Sequence, residues 1–220
     1  RHRRGVAVVK ARCKPHIALV RADAVGRVEA DPADPVHMRL GPGMARRLLD
    51  RALEALPSDM ELQERARSGR GLTRPELAVL LSYSKIALLH DLLASSVPDE
   101  KALEPLLLGY FPPALATRYA DDIRGHRLRR EIIATTLTNQ IVNRLGSASP
   151  QRMADETARP VAEIAHAFTI ARAVLGLPDI WQQIDALDGE IGGQIQLELY
   201  SRTQDALAHT TRWFMRDGQA

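Results

Sequence analysis

From Met44 onward apolar residues recur every three or four positions, in blocks that stop at Gly or Pro and restart at Ser or Thr. That is the period of a helix surface, not the alternation of a strand. Leu48, Leu49, Ala52, Leu53 and Leu56 share one face of a predicted helix over Ala45 to Leu56, which Pro57 stops. Ser58 followed by Glu61 has the spacing of a capping box, in which the hydroxyl accepts from an orphan backbone N–H and the carboxylate reaches back. The helix it starts is predicted to run to about Ser68, with Gly69 and Gly71 breaking it. Thr73 and Glu76 repeat the signal, and Pro75 falls in the first turn, where its missing N–H costs little. The next helix, to about Ala94, is apolar on most of its circumference, which predicts a central helix contacted on several sides.

Further along, Ser95 to Pro98 reads as a turn and Asp99 to Leu108 as a shorter helix disturbed at Pro105. Phe111-Pro112-Pro113 is a corner before a helix from Ala114 to about Ile123. Arg127 to Leu145 is a second long helix, ending at Gly146 as a helix with a left-handed terminal residue would. Helices are expected from Ser149 to about Thr157, Pro160 to Leu175, Ile180 to Leu187 and Glu190 to about Arg216, with Gly176-Leu177-Pro178 as a stop signal. No fixed period relates these segments and no strand alternates with them. The expected fold is all-α, an array of about eight to nine helices with short loops, forming one domain over residues 44–220.

Residues 1–43 use a different vocabulary, without Ser, Thr, Asn, Gln, Phe, Tyr or Trp. Val6 and Val8, then Ile17 and Leu19, are compatible with a strand pair, while Pro32, Pro35 and Pro42 read as linker. The segment is expected to be irregular or poorly ordered. It fits a linker, or an artefact such as out-of-frame translation of a GC-rich gene, better than a functional module.

Composition narrows the class. With 220 residues the chain can bury roughly 70% of the surface its unfolded form exposes, and it needs no staple. Aromatics make up 4% of it, so the core is expected to be aliphatic and leucine-rich. Cys13 is the single cysteine, which rules out an intramolecular disulfide and a Cys-based zinc site and makes a cytoplasmic setting the expectation. No signal peptide pattern opens the chain, and the longest apolar stretch, Leu77 to Leu93, is interrupted by Lys85, His90 and Asp91, so no membrane span is expected. A net charge of +3 from interspersed residues gives no broad basic stripe, and nucleic acid is not an expected partner. The chain starts at Arg1 and not at a methionine, from which a fragment of a longer polypeptide is expected.

Candidate chemistry is sparse. A dinucleotide site needs a strand, a G-x-G-x-x-G turn and a helix; Gly189, Gly192 and Gly193 have the wrong spacing, and Gly69 and Gly71 fall between helices. His90, His126, His166 and His209 form no i, i+4 pair for zinc. Cys13 has no visible partner base and reads as inert. Arg124, His126, Arg127, Arg129 and Arg130 are the sharpest concentration of positive charge, and at a helix N-terminus such charge opposes the macrodipole. Either an anion or acidic partner binds there, or salt bridges to Asp121, Asp122 and neighbouring helices absorb it. Thr136, Asn139, Gln140, Asn143 and Arg144 put polar groups at three- and four-residue spacing, which is compatible with a polar cleft, an inter-subunit contact or a solvated face. Lys85, within an apolar helix, either pairs with an acid or snorkels outward.

Two long segments, GLTRPELAVLLSYSKIAL from Gly71 to Leu88 and RLRREIIATTLTNQIVNRLG from Arg127 to Gly146, resemble the C-terminal part of the large-type NAD-dependent glutamate dehydrogenases. LDRALEALPSD from Leu49 to Asp59, the Tyr110-Phe111-Pro112 corner and the terminal Arg212-Trp213-Phe214 resemble the same family in the same order, so the likeness covers about Leu49 to Arg216. Residues before about Met44 depart from it. The resemblance implies oxidative deamination of L-glutamate with NAD by the full-length enzyme. It also implies a catalytic lysine, its acidic partner and a Rossmann domain upstream, so that no catalytic, cofactor-binding or metal residue is carried over onto this chain. The partners it implies are the upstream catalytic domain of the same polypeptide and further copies in a homo-oligomer. A chain of this kind is expected to serve assembly, inter-domain packing or regulation and to be inactive alone. The competing reading is a free-standing helical module that binds an acidic partner through Arg124 to Arg130.

Overall fold

In a computed structural model, residues 49–216 are described, and within them the chain is all-α. Ten α-helices follow in order: α1 (Asp59–Arg67), α2 (Arg74–Leu93), α3 (Glu104–Leu108), α4 (Pro113–Arg118), α5 (Ala120–Arg124), α6 (Arg129–Leu145), α7 (Ser149–Thr157), α8 (Val161–Val174), α9 (Leu177–Ala186) and α10 (Gly193–Arg216). Two short 3-10 turns, Val97–Asp99 and Lys101–Leu103, link α2 to α3. Among the described residues the one β-type pairing is an isolated bridge between Asp188 and Ile191. The strand pair and the linker or artefact expected within residues 1–43 lie outside the described residues.

Local signals place most of the helix starts. At α1 the capping box is complete: the Glu61 N–H donates to Ser58 Oγ at 3.3 Å and the Ser58 N–H donates to the Glu61 carboxylate at 2.7 Å. At α2 the Thr73 N–H donates to Glu76 at 2.6 Å, with Pro75 in the first turn. Gly176 adopts the left-handed conformation (φ 58°, ψ 27°) between α8 and α9, and Leu177 behind it is buried. Gly146 also ends α6 with a positive φ of 87°, but its ψ of 160° lies outside the left-handed helical well, in a region open only to glycine.

Five expectations are revised, the first being the helix expected from Asp99 to Leu108, which is two 3-10 turns followed by α3 from Glu104. The described part of the Ala45–Leu56 segment is a single turn, not a helix. Asp50 Oδ1 accepts from the N–H groups of Ala52 (3.0 Å) and Leu53 (3.1 Å), and Ala55 at φ 51° lets the Leu56 N–H close back onto Arg51 O. The helix expected from Ala114 to Ile123 is two helices, because Tyr119 leaves helical geometry (φ −122°, ψ 33°). Arg127 precedes the long helix, which starts at Arg129. Finally, α2 is not the centre: only Leu80, Leu88 and Leu92 are buried in it, and Ile86 is exposed. An all-round apolar helix reports surface that can be covered, not how many neighbours cover it.

The centre is α6 with α8. α6 buries Ile133, Ala134, Leu137, Thr138, Ile141, Val142 and Leu145 on one face, and it packs against α2, α3, α7 and α10. α8 buries Ile164, Ala165, Ala167, Phe168 and Ala171 and lies along α10. All of these but Thr138 join one largely aliphatic cluster that runs from Leu88 of α2 to Met215 of α10. At about 1.5–3 kcal/mol for each large side chain fully buried, this cluster is the main stabilising term. No single helix among the described residues is long and apolar enough to cross a membrane. α8 and α9 together reach that length, but they are bent by 63°, and Ile164, Phe168, Leu177 and Ile184 among their apolar residues belong to the core.

Candidate functional site

One face of α6 belongs to the core; the other carries the polar residues singled out from the sequence. Ahead of the helix stands His126, whose Nδ1 accepts from the Leu128 N–H at 3.1 Å and whose ring meets Phe111 edge-on. Arg124, just ahead of it, donates from Nε to Glu104 at 2.6 Å and from Nη1 to Asp121 at 2.7 Å, and these carboxylates raise its already high pKa. Arg130 pairs with Asp99 and donates from Nη2 to the carbonyls of Leu93 (2.9 Å) and Ser95 (3.1 Å). Those carbonyls lie at the C-terminal end of α2, the electronegative end of its macrodipole. Arg127 is exposed.

Along the open face Arg129, Thr136, Asn139, Gln140, Asn143 and Arg144 are all half-buried. Arg129 keeps its Nε away from water with no hydrogen-bond partner. Gln140 accepts through Oε1 from Arg172 Nη1 of α8, and Arg172 Nε is likewise covered and without an acceptor. Arg144 sits over Trp181 of α9, its guanidinium carbon 3.8 Å from the ring centroid and 5.7 Å from that of Tyr200. Burial lowers the pKa of both Arg144 and Arg172; for Arg144 the nearby Tyr200 and Asp185 oppose the shift without overcoming it. Tyr200 donates to Asp185, and burial together with that bond pushes its phenol up. Gln196 Nε2 donates to Ile184 O at 2.8 Å and Trp181 Nε1 to Thr203 Oγ1 at 3.1 Å, which locks α9 onto α10.

Lys85 stands apart on α2, half-buried, with burial lowering its pKa. The structure therefore does not gather the sequence-derived candidates into one site. Arg124, His126 and Arg130 organise the entry to α6, while Asn139, Asn143, Arg144 and Arg129 line its outer face. Arg172, Trp181, Tyr200 and Asp185 were not visible as site residues in the sequence. The available signal was Arg172 itself, a single cation between the apolar residues of α8.

Among the described residues no three His, Cys, Asp or Glu side chains converge to hold a metal. Nor do these residues fit a nicotinamide dinucleotide. Its pyrophosphate needs a strand feeding a glycine-rich turn into a helix, whereas Gly189, Gly192 and Gly193 are flanked by α9, an isolated bridge and α10.

The described residues form an all-helical body around one hydrophobic cluster. The family model described as "Glutamate dehydrogenase, C-terminal" matches residues 69–220. The NAD-specific glutamate dehydrogenase of Pseudomonas aeruginosa is 46% identical over 172 residues, covering 78% of this chain and 11% of that protein. That of Halomonas elongata is 44% identical over 168 residues, covering 76% of this chain and 10% of the relative. The NAD-specific glutamate dehydrogenase of Mycobacterium tuberculosis is 35% identical over 196 residues, covering 88% and 12% respectively. The chain belongs to the family of the C-terminal region of large NAD-dependent glutamate dehydrogenases. It spans about a tenth of the length of the curated relatives it matches.

Proposed function

We propose that residues 44–220 form the helical C-terminal domain of an NAD-dependent glutamate dehydrogenase and contribute assembly and inter-domain packing to it. The reaction of the whole enzyme is the conversion of L-glutamate, NAD and water to 2-oxoglutarate, ammonia and NADH. NAD and the catalytic residues belong to the part of the polypeptide upstream of this chain, and the working enzyme is a homo-oligomer.

The observation that carries this reading is the identity of 44–46% to two NAD-specific glutamate dehydrogenases over most of this chain and only a tenth of theirs. The all-α body of the described residues is consistent with it.

Glutamate-dependent reduction of NAD, followed by the absorbance of the reduced nicotinamide, tests it with the full-length polypeptide and the 220-residue chain side by side. The full-length protein should turn over and the chain alone should not. Turnover by the isolated chain overturns the proposal.

A further inference from the structure

Three arginines on the open side of α6 lack what every buried cation needs. Arg65, Arg124, Arg130, Arg159 and Arg212 each reach a carboxylate within the fold. Arg129, Arg144 and Arg172 make no such ion pair among the described residues, although all three are half-buried. Arg127, exposed, has water for a partner; these three have given up part of their hydration. Arg172 holds only the neutral amide of Gln140. Arg144 has an aromatic face beneath it, and the nearest acid, Asp185, is bonded to Tyr200. A guanidinium withdrawn from water is stable when a carboxylate or similar anion meets its fork of donors.

Their placement says what meets them. Arg129 and Arg144 are fifteen residues apart on one helix, about 22 Å at 1.5 Å per residue, and Arg172 reaches in at Gln140, one turn before Arg144. Asn143 completes the stripe, half-buried and with no side-chain hydrogen bond among the described residues. No single small dicarboxylate spans that distance, whereas an extended segment of about seven residues does, at about 3.3 Å each. About nine tenths of the length of the relatives lies beyond the region this chain matches.

We propose that the outer face of α6 from Arg129 to Arg144, with Arg172 of α8, is the docking groove for an acidic segment of the same polypeptide outside these 220 residues. Carboxylates of that segment pair with Arg172 and Arg144, and Asn143 binds its backbone. The proposal rests on the reading that this chain is one domain of a larger dehydrogenase.

Zero-length carbodiimide coupling in the full-length enzyme tests it, because lysine couples to a touching carboxylate and arginine does not. Arg172→Lys and Arg144→Lys are each treated and digested, with the unsubstituted enzyme as the blank. Isotope-labelled and unlabelled protomers are mixed to separate links within a protomer from links between copies. The expected result is a new link from each lysine to an Asp or Glu outside residues 1–220 of the same protomer, lost again on Arg172→Gln or Arg144→Gln. A link to an acid inside the chain, a link to a second copy, or no link in a variant with unchanged helical circular dichroism overturns the groove. If either lysine variant fails to fold, Asn143→Lys presents the same chemistry from the same face. Glutamate-dependent NAD reduction is read in parallel. An active enzyme without the link defeats the groove alone, while an inactive full-length protein defeats the dehydrogenase reading beneath it.

Discussion

Arg129 and Arg130 are neighbours in sequence with opposite surroundings, because one step along a helix turns the side chain by about 100°. Arg130 turns toward the end of α2 and supplies donors to two backbone carbonyls that the helix leaves open. Its ion pair with Asp99 is partly solvated and adds little. Arg130→Ala should therefore lower stability by about 1–2 kcal/mol, chiefly through the two carbonyls left without a donor. Arg127→Ala, on an exposed side chain, should stay within about 0.5 kcal/mol. Urea unfolding of the two variants checks both figures, and equal losses would remove the capping role.

The helix starts carry their own pH dependence. Burial opposes ionisation of Glu76, but the Thr73 N–H and the Arg65 guanidinium, both of whose bonds to the carboxylate oxygens are 2.9 Å, outweigh it and hold the group below its ordinary 4.5. A carboxyl group whose folded pKa lies below its unfolded one stabilises the fold fully above the unfolded value. That stabilisation is lost as the pH falls through the folded value. Glu61 is shifted the same way by Ser58. Hydrogen-exchange protection of α1 and of the first turn of α2 should thus drop on acidification below about pH 4.5. Glu76→Gln should begin less protected and show a shallower acid step; an unchanged acid profile in that variant would exclude Glu76 as the titrating group. α1 buries no residue of its own, so little else anchors it among the described elements.

Across the molecule one aliphatic cluster ties α2 to α10, and Phe168, fully buried on α8, lies within it. Phe168→Ala should cost about 3–5 kcal/mol. Because the cluster is continuous, the loss should appear as a shift of one cooperative urea transition reported alike by circular dichroism and by the fluorescence of Trp181 and Trp213. Two separated transitions would show that α2–α6 and α8–α10 fold as independent units. Ile170, two residues on and exposed, should tolerate alanine with a small effect.

The caps at Ser58 and Thr73, the glycine stops and the all-α class were legible in the sequence because each depends on contacts within about four residues of itself. The family likeness was legible too, being a property of residue order. Central position was not: α2 has the more apolar circumference, yet α6 holds the core, since burial depends on which helices return to cover a face. The division of the Arg124–Arg130 cluster was equally hidden. Arg130 meets carbonyls 35 and 37 residues away, and Arg172 meets Gln140 across 32 residues. Helical period and capping are short-range, and the chain alone determines them. Which cation is neutralised and which is left facing outward is settled only when distant helices pack, because electrostatic partners are chosen by distance in space.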